Sequence, residues 1–482
     1  MGLPPSPLLQ PVHADSRIAP KNRLSAAPAS PLNVTAKTLR ARVVNSGDRT
    51  FVDDLNLEGN FILTKDQVSD DSPWPFTATG DRLLLSQKKE NATDIHIMGL
   101  ANQDAEIKIG SGRVVAPELR LMQSENQFWI DHPGELVIPI EALRNTSLQS
   151  HSSLVSLPNA RLSANPARPT GKNANNEIRW REPPRLRWGK RMTFDGKTAR
   201  FGGGVTIDCK IESDESTLWH ISATADQMVV DMDQPVSLRS TNASVPSAQA
   251  QVSAIRLDGN VDMRSVQTDY QLRRRSLEHM KLPQLELDIP SQTWVGHGPG
   301  ELWSRRLGNS NPLSGTFPTA SSQNSFPSAT ENDLQCIHLS FMGRMEGALA
   351  QRNASFYDRI EALIGPIVDW DDEVNVHKLD RLGKNQSHLI SDRLNIFDTS
   401  GLSWNQNQNA SRVKPQTSSW EIEAQSRVVM SSNTDNGEIT IEADRLRYSA
   451  ANNMVGVERS PRQSAVISRV QTNGAPPEKL AI

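Results

Sequence analysis

Two stretches of the 482-residue chain, "WIDHPGELVI" and "WVGHGPGELW", combine a histidine and a glutamate around a Pro-Gly step. His132 with Glu135, and His297 with Glu301, could supply imidazole and carboxylate groups for metal binding or proton transfer. Each pair offers two ligands, whereas a zinc site takes three or four, and no HxxxH or HExxH spacing adds another histidine. The spacing therefore predicts exposed turn residues and no metal site.

Two other short motifs have a chemical interpretation and a simpler one. Gly202–Gly204 could cradle a phosphate, but such a loop precedes a helix, and the following "VTIDCKI" alternates like a strand. We therefore expect a turn there. The acidic "DWDDEV", with Asp369, Asp371, Asp372 and Glu373, could bind calcium, but it lacks the spacing and glycine of an EF-hand loop and is typical of a solvated loop.

The sequence contains no G-x-S-x-G elbow, no Walker loop and no catalytic Cys/His signature. We therefore expect no catalytic residue, no cofactor and no enzymatic activity. Apolar residues make up 36% of the chain and aromatic residues 5%, which favours an extended fold over a compact α/β enzyme. The net charge of −3 predicts no general attraction to nucleic acid. Cys209 and Cys336 form no CxxC pair and are left as a long-range disulfide or as free thiols.

Period-two alternation of apolar residues, which predicts β-strands, slips by one residue at four similar places. The slips occur at Asp81, Asp226, Asp392 and Asp444, in stretches such as "ISATADQMVVDM" and "ITIEADRLRY". A strand keeps one face inward only while its apolar residues stay in phase, so a slip predicts a bulge or bend. A small residue followed by an aspartate that can bond its own backbone suits such a corner.

Further copies of this corner reveal a repeat. Pro117 and Pro283 occupy the same step, and Asp358 is a weaker copy; neighbouring steps are about 35 residues apart, which indicates a repeat architecture. The stretches "LEGNFIL", "FGGGVTI" and "LDGNVDM" are interpreted as tight glycine turns before the corners. Gly134 and Gly300 each follow a proline step by 17 residues, so "HPGEL" and "HGPGEL" are predicted to be one turn in two repeats.

Composition divides the chain into alternating ordered and linking segments. The ordered β-repeat regions are predicted at residues 37–140, 193–304 and 335–482. The other segments are a disordered Pro-rich start at residues 1–36, a polar and later basic linker at 141–192, and a Ser/Pro/Asn-rich linker at 305–334. The first residues lack the charged start and apolar core of a signal peptide.

The basic stretch "RWREPPRLRWGKR" has three interpretations. Its cations could hold anionic lipid headgroups at a membrane surface, they could stack on single-stranded nucleic acid together with the tryptophans, or they could belong to a solvated linker. The headgroup candidates are Arg179, Arg181, Arg185, Arg187, Lys190 and Arg191.

Units of the form "G-N-V … A-D-x-L-x-Y … V-x-G" resemble the organic-solvent-tolerance family, the LptA-like β-jellyroll of periplasmic lipopolysaccharide transport. The best match is "GEITIEADRLRYSAANNMVGVERS" at residues 437–460, followed by residues 201–232. The resemblance implies an all-β fold: elongated antiparallel β-jellyroll or β-taco repeats with long polar insertions and little helix. It also implies a periplasmic or cell-envelope protein that binds lipopolysaccharide or another amphiphile, and edge-to-edge pairing with strand partners or with itself.

The apolar residues beside the corners are the expected lipid-binding positions. An open groove that holds acyl chains and a closed core of an elongated structural or adhesion protein need the same alternation, so both remain open from the residues alone; the resemblance favours the groove. The inward apolar candidates are Leu83, Leu85, Leu119, Leu121, Ile221, Met228, Val230, Leu285, Leu287, Ile439, Ile441, Leu446 and Tyr448.

Overall fold

The computed structural model is all-β and antiparallel, as the sequence predicts. Its described residues form 27 strands of one sheet and a single 3₁₀ turn at Val376–Lys378. None of its described helical segments has the length and hydropathy of a membrane span. The structure describes residues 32–46, 49–65, 75–89, 92–138, 179–213, 217–238, 250–307, 334–348, 353–379, 381–398, 420–434, 437–449, 454–459, 465–470 and 476–481.

The strands follow one another in chain order. They are β1 Leu32–Thr35, β2 Thr38–Ser46, β3 Arg49–Lys65, β4 Phe76–Lys89, β5 Ala92–Met98, β6 Ala105–Ile109, β7 Gly112–Ala116, β8 Glu118–Met122, β9 Gln127–Ile130, β10 Gly134–Val137, β11 Arg179–Trp188, β12 Arg191–Phe194, β13 Thr198–Ser213, β14 Thr217–Met232, β15 Val252–Asp269, β16 Arg274–Asp288, β17 Thr293–His297, β18 Gly300–Leu307, β19 Leu334–Phe341, β20 Arg344–Ala348, β21 Asn353–Pro366, β22 Gln386–Asp398, β23 Trp420–Thr434, β24 Gly437–Ser449, β25 Met454–Glu458, β26 Val466–Val470 and β27 Glu478–Ala481.

We call each crossing of the sheet by the chain a pass. Each pass contains a corner, and the corners divide the sheet into two arms. The long strand β4 shows the arrangement: Arg82–Lys89 pairs with β5, whereas Phe76–Thr79 pairs with β6. We call the arm that contains β2, β5, β8, β9, β12, β17, β20 and β25 the first arm, and the arm that contains β1, β6, β7, β10, β11, β18, β19, β26 and β27 the second arm. The remaining strands run through both arms, and apolar residues of both belong to one core cluster.

A two-residue bulge bends the sheet at the corner. In five passes that run from the first arm to the second, two successive residues with positive φ stand opposite one residue of the next pass. The bulge pairs are Gly59-Asn60, Gly203-Gly204, Gly259-Asn260, Asp358-Arg359 and Ser426-Arg427. The single residues opposite them are Asp81, Asp226, Pro283, Asp392 and Asp444. The corners predicted at Asp81, Asp226, Pro283, Asp392 and Asp444 are therefore confirmed.

Two of the corner aspartates contact a neighbouring bulge. Asp226 Oδ2 accepts a hydrogen bond of 2.9 Å from Asn260 Nδ2, and Asp392 Oδ2 accepts one of 2.8 Å from Arg427 Nε. Both donors are the second residue of a bulge pair, so the aspartate helps to hold a left-handed residue in place. Two residues after each aspartate an apolar side chain is buried, for example Leu83 and Met228.

Five details of the sequence interpretation are wrong. The glycine stretches are bulges inside β3, β13 and β15 rather than hairpin turns, because the chain continues in the same direction. Asp358 belongs to a bulge pair and does not occupy the single-residue step. The linker predicted at 141–192 ends before residue 179, where β11 begins, and the predicted disordered start already contains β1. The linker predicted at 305–334 overlaps the end of β18 and the start of β19; residues 1–31, 139–178 and 308–333 lie outside the described residues.

The left-handed bulge can be tested with two glycines of β13. A Cβ built on Gly202 or on Gly204 has no heavy atom within 4 Å, but only Gly204, at +87°, has a positive φ. We expect Gly204→Ala to lower the free energy of unfolding by about 1–2 kcal/mol, because an L-residue is strained there. Gly202→Ala is the matched control and should leave the urea midpoint nearly unchanged. Equal midpoints for the two variants would contradict the bulge.

Candidate ligand-binding groove

The inner face of the first arm carries an uninterrupted apolar row. Residues in direct register connect one strand to the next from β3 to β17. They are Leu55, Leu85, Ile95, Leu121, Phe128, Phe194, Ala199, Val230, Ile255, Leu287 and Trp294. Each of these side chains is only partly buried. Alternation alone places them on one face, so the row follows from the sequence pattern.

The same row continues into the C-terminal passes, but there its side chains are buried. Gly347, Ala354, Ile396, Ile422 and Tyr448 follow Trp294 in direct register. The last four are buried, with 4–8% exposure. The opposite row of the second arm is buried as well in this part, from Leu339 to Ile441. The inner face of the first arm therefore stays partly accessible to water along β3–β17, although most of its residues also pack against the core, and it is buried along β21–β24. We call the first part the open groove and the second the filled core.

The predicted inward residues divide between these two parts. Leu85, Leu121, Val230 and Leu287 lie in the open groove, and Ile221 is partly buried in the second arm. Those next to the corner, Leu83, Leu119, Met228 and Leu285, are buried at its base. Ile439, Ile441, Leu446 and Tyr448 lie in the filled core, where no more than 6% of each is exposed. These last four therefore do not line an open groove.

The basic stretch does not face the groove. Leu186 and Trp188 of β11 point inward and are buried, so Arg185 and Arg187 between and beside them point outward. Both contact Glu135 on the neighbouring strand, with Nε–Oε distances of 3.7 and 2.9 Å. Arg181 and Lys190 are exposed, Arg191 Nε lies 3.0 Å from Asp131, and Arg179 begins β11. The predicted headgroup site is therefore an outer-face patch that acidic residues partly neutralise.

A buried ion pair on the inner face was missed by the sequence interpretation. Glu278 and Arg306 lie on β16 and β18 of the second arm, two positions beyond the apolar row at Met280 and four beyond Leu302. Glu278 Oε1 accepts hydrogen bonds of 2.9 and 2.6 Å from Nε and Nη2 of Arg306. Burial raises the pKa of Glu278, and Arg306 opposes this shift. The alternation places Glu278 in phase with Met280 and Leu282, which is the signal that could have found it.

A cavity of about 510 Å³ lies where the open groove begins. Ala41, Leu55 and Leu85, which occupy one register row on β2, β3 and β4, contribute to its lining together with Arg42 and Asp54. Its volume is typical of a small-molecule site. Its lining thus combines apolar strand residues with a polar and charged rim.

The histidines, glutamates and glycines that could have formed a metal or phosphate site lie at corners, on strands and in a bulge. His132 and His297 are exposed at corners opposite Pro117 and Pro283, as expected for one turn in two repeats. Glu135 and Glu301 instead lie on strands β10 and β18. Gly203 and Gly204 form a bulge without a following helix, and Glu373 of the acidic stretch lies 3.3 Å from Arg305.

The two cysteines are free and buried, and burial raises the pKa of Cys209 to about 12. They form no disulfide with each other. Their thiols are therefore protonated at neutral pH and chemically unreactive in the folded chain.

Comparison of the chain with protein-family models, with curated proteins and with solved structures finds no match in any of the three.

Proposed function

We propose that this chain is a non-enzymatic amphiphile-binding protein of the cell envelope, with the open groove as its binding site for the acyl chains of a lipopolysaccharide-like molecule. The observation that carries the proposal is the row of partly exposed apolar residues in direct register from β3 to β17. A continuous apolar row that stays partly accessible to water is a candidate interaction site for an apolar ligand.

The free energy of binding comes from burial and requires no covalent step. An acyl chain laid along the row would remove apolar area from water at about 25 cal/mol per Å². The filled core at the C-terminal passes already holds its own side chains against one another. It would therefore act as a rigid support, while the open groove holds the ligand.

The ends of the sheet support the proposed edge-to-edge pairing. Within the described residues, β2 pairs only with β3, and β25 pairs only with β24. Such strands present unpaired backbone groups to another chain. A second copy of this chain or another β-protein could extend the first arm there, which would continue the groove.

The proposal can be tested with a photo-crosslinkable lipid A analogue. Val230→Asp and Leu287→Asp place a charge in the open groove, and we expect each to abolish capture while the thermal transition changes little, because water reaches both positions. Thr193→Asp, on the outer face beside Arg200, is the matched control and should capture lipid like the parent.

A specific observation also favours the alternative, an elongated structural protein, for part of the molecule: the filled core is closed. If the parent chain captures no lipid and both groove variants unfold, then the whole interior is a core and the structural function replaces the proposed one.

A further inference from the structure

A group of ionisable residues lies on the outer face of the second arm, on the other side of the sheet from the groove. Residues 367–385, which we call the strap, connect β21 to β22 and are described except at position 380. Val374 and Val376 of the strap form a small apolar cluster with Cys336 of β19 and Leu363 of β21. Arg305 Nε donates a hydrogen bond of 2.8 Å to the carbonyl of Asp372. The strap is thus held against the sheet.

His338 of β19 is completely buried between the strap and the sheet. Its ring stacks on Trp303 with a centroid distance of 4.6 Å. Nδ1 accepts a hydrogen bond of 3.1 Å from the backbone N–H of Val376, and the ring also interacts with the backbone of Val374. Nε2 is buried and has no hydrogen-bond partner within the described part of the chain. A buried polar atom without a partner is costly, and a bound ion or water at that position would satisfy it.

Two further ligand groups lie close to the His338 ring. Glu301 of β18 and His377 of the 3₁₀ turn lie beside it, with His377 Nε2 3.0 Å from Glu301 Oε1. One ligand atom from each of Glu301, His338 and His377 lies within 4.8 Å of the other two. Tetrahedral zinc with bonds of about 2.0–2.1 Å needs ligand atoms about 3.3 Å apart. Glu301 is partly exposed and His377 is exposed, so both can move by that amount, while packing fixes His338.

We propose that Glu301, His338 and His377 bind a divalent transition-metal ion such as Zn²⁺, with water as the fourth ligand. Two imidazoles and a carboxylate suit zinc, whereas calcium and magnesium take oxygen ligands. Metal binding through Nε2 requires the tautomer with the ring proton on Nδ1, so the hydrogen bond that Nδ1 accepts from Val376 N–H would be replaced by one from Nδ1–H to the Val374 carbonyl, a usual second-shell acceptor for a histidine ligand. Because two ligands belong to the sheet and one to the strap, the ion fastens the strap to the outer face.

The experiment measures zinc binding by the full chain after treatment with a chelator. Calorimetric titration with ZnCl₂ should give one ion per chain for the parent, and zinc should raise its melting temperature. His377→Ala removes an exposed ligand and should weaken binding at least about tenfold and abolish the rise. His297→Ala removes an exposed histidine of the neighbouring strand β17 and should behave like the parent.

A parent chain that binds no zinc overturns the proposal, as does a His377→Ala variant that binds zinc like the parent. His338→Phe gives a second check, since phenylalanine can keep the stacking on Trp303 but has no ligand atom. Circular dichroism of each zinc-free variant shows whether it is folded. Replacement of Zn²⁺ by Co²⁺ adds a spectroscopic signature, since tetrahedral Co²⁺ absorbs visible light strongly, and His377→Ala should lose that band.

Discussion

Met430→Asp is expected to lower the free energy of unfolding by more than about 4 kcal/mol, or to prevent folding, because it places an unpaired carboxylate in the filled core. Met430 is 1% exposed, and its direct register neighbours are Leu389 and Ile441. No cation stands opposite it in these two strands. Val230→Asp places the same group on the same inner face but in the open groove, and there we expect a loss below about 1 kcal/mol.

Val429→Asp is the matched control for this experiment. Val429 is the adjacent residue of β23, it points to the outer face, and it is 36% exposed. Its substitution should change stability by less than about 1 kcal/mol. Urea unfolding followed by circular dichroism measures all three variants. If Met430→Asp and Val230→Asp lower the free energy of unfolding by similar amounts, the inner face is equally buried along its length. The division into open groove and filled core would then be wrong.

Glu278→Ala is expected to lower the free energy of unfolding by about 3–5 kcal/mol, because it leaves the Arg306 guanidinium buried without its carboxylate. The side chains of Glu278 and Arg306 are 3% and 10% exposed. The double variant Glu278→Leu/Arg306→Met should be much closer to the parent in stability, since apolar residues of similar volume replace both charges together.

An exposed pair provides the comparison for this double-mutant cycle. Lys210 Nζ lies 2.9 Å from Glu182 Oε1 between β13 and β11, with both side chains at least one-third exposed. Glu182→Ala should cost at most about 1 kcal/mol, as is usual for a solvated ion pair. If Glu278→Ala costs no more than Glu182→Ala, or if the double variant is no more stable than Glu278→Ala, the pair is not a desolvated one.

The corner positions could be predicted from the sequence because the physical constraint is local. A register slip must move apolar side chains to the other face, so the phase change at Asp226 or Asp444 is visible in the alternation itself. The bulge pairs opposite the corners share no residue type, so the sequence does not reveal them. Gly259-Asn260 suits positive φ, whereas Ser426-Arg427 does not. Ser426-Arg427 is held by a partner on another pass, since Arg427 contacts Asp392.

The state of the interior could not be predicted, since the same alternation describes Val230 in the open groove and Met430 in the filled core. The difference lies in burial by other passes, since Val230 stays partly exposed and Met430 is 1% exposed, and burial is a property of the assembled sheet. The outer-face cluster was missed for a similar reason. His338 and His377 are far from Glu301 in sequence, and the sheet and the strap bring them together. The histidine chosen from the sequence, His297, lies on the same stretch as Glu301 but outside the cluster.

Strand pairing in this sheet links each pass to the pass before it and the pass after it, as the registers of β13 with β14, β14 with β15 and β15 with β16 illustrate. The entropy cost of loop closure is then small for the pairings that short turns connect, and it is larger where a long segment intervenes, as between β9 and β12. Folding can start wherever two consecutive passes meet and can spread one pass at a time, as in other repeat proteins. During synthesis the N-terminal passes can pair before the C-terminal ones exist. The growing sheet therefore ends in an unpaired edge strand. The next pass of the same chain must pair with that edge before a strand of another protein does.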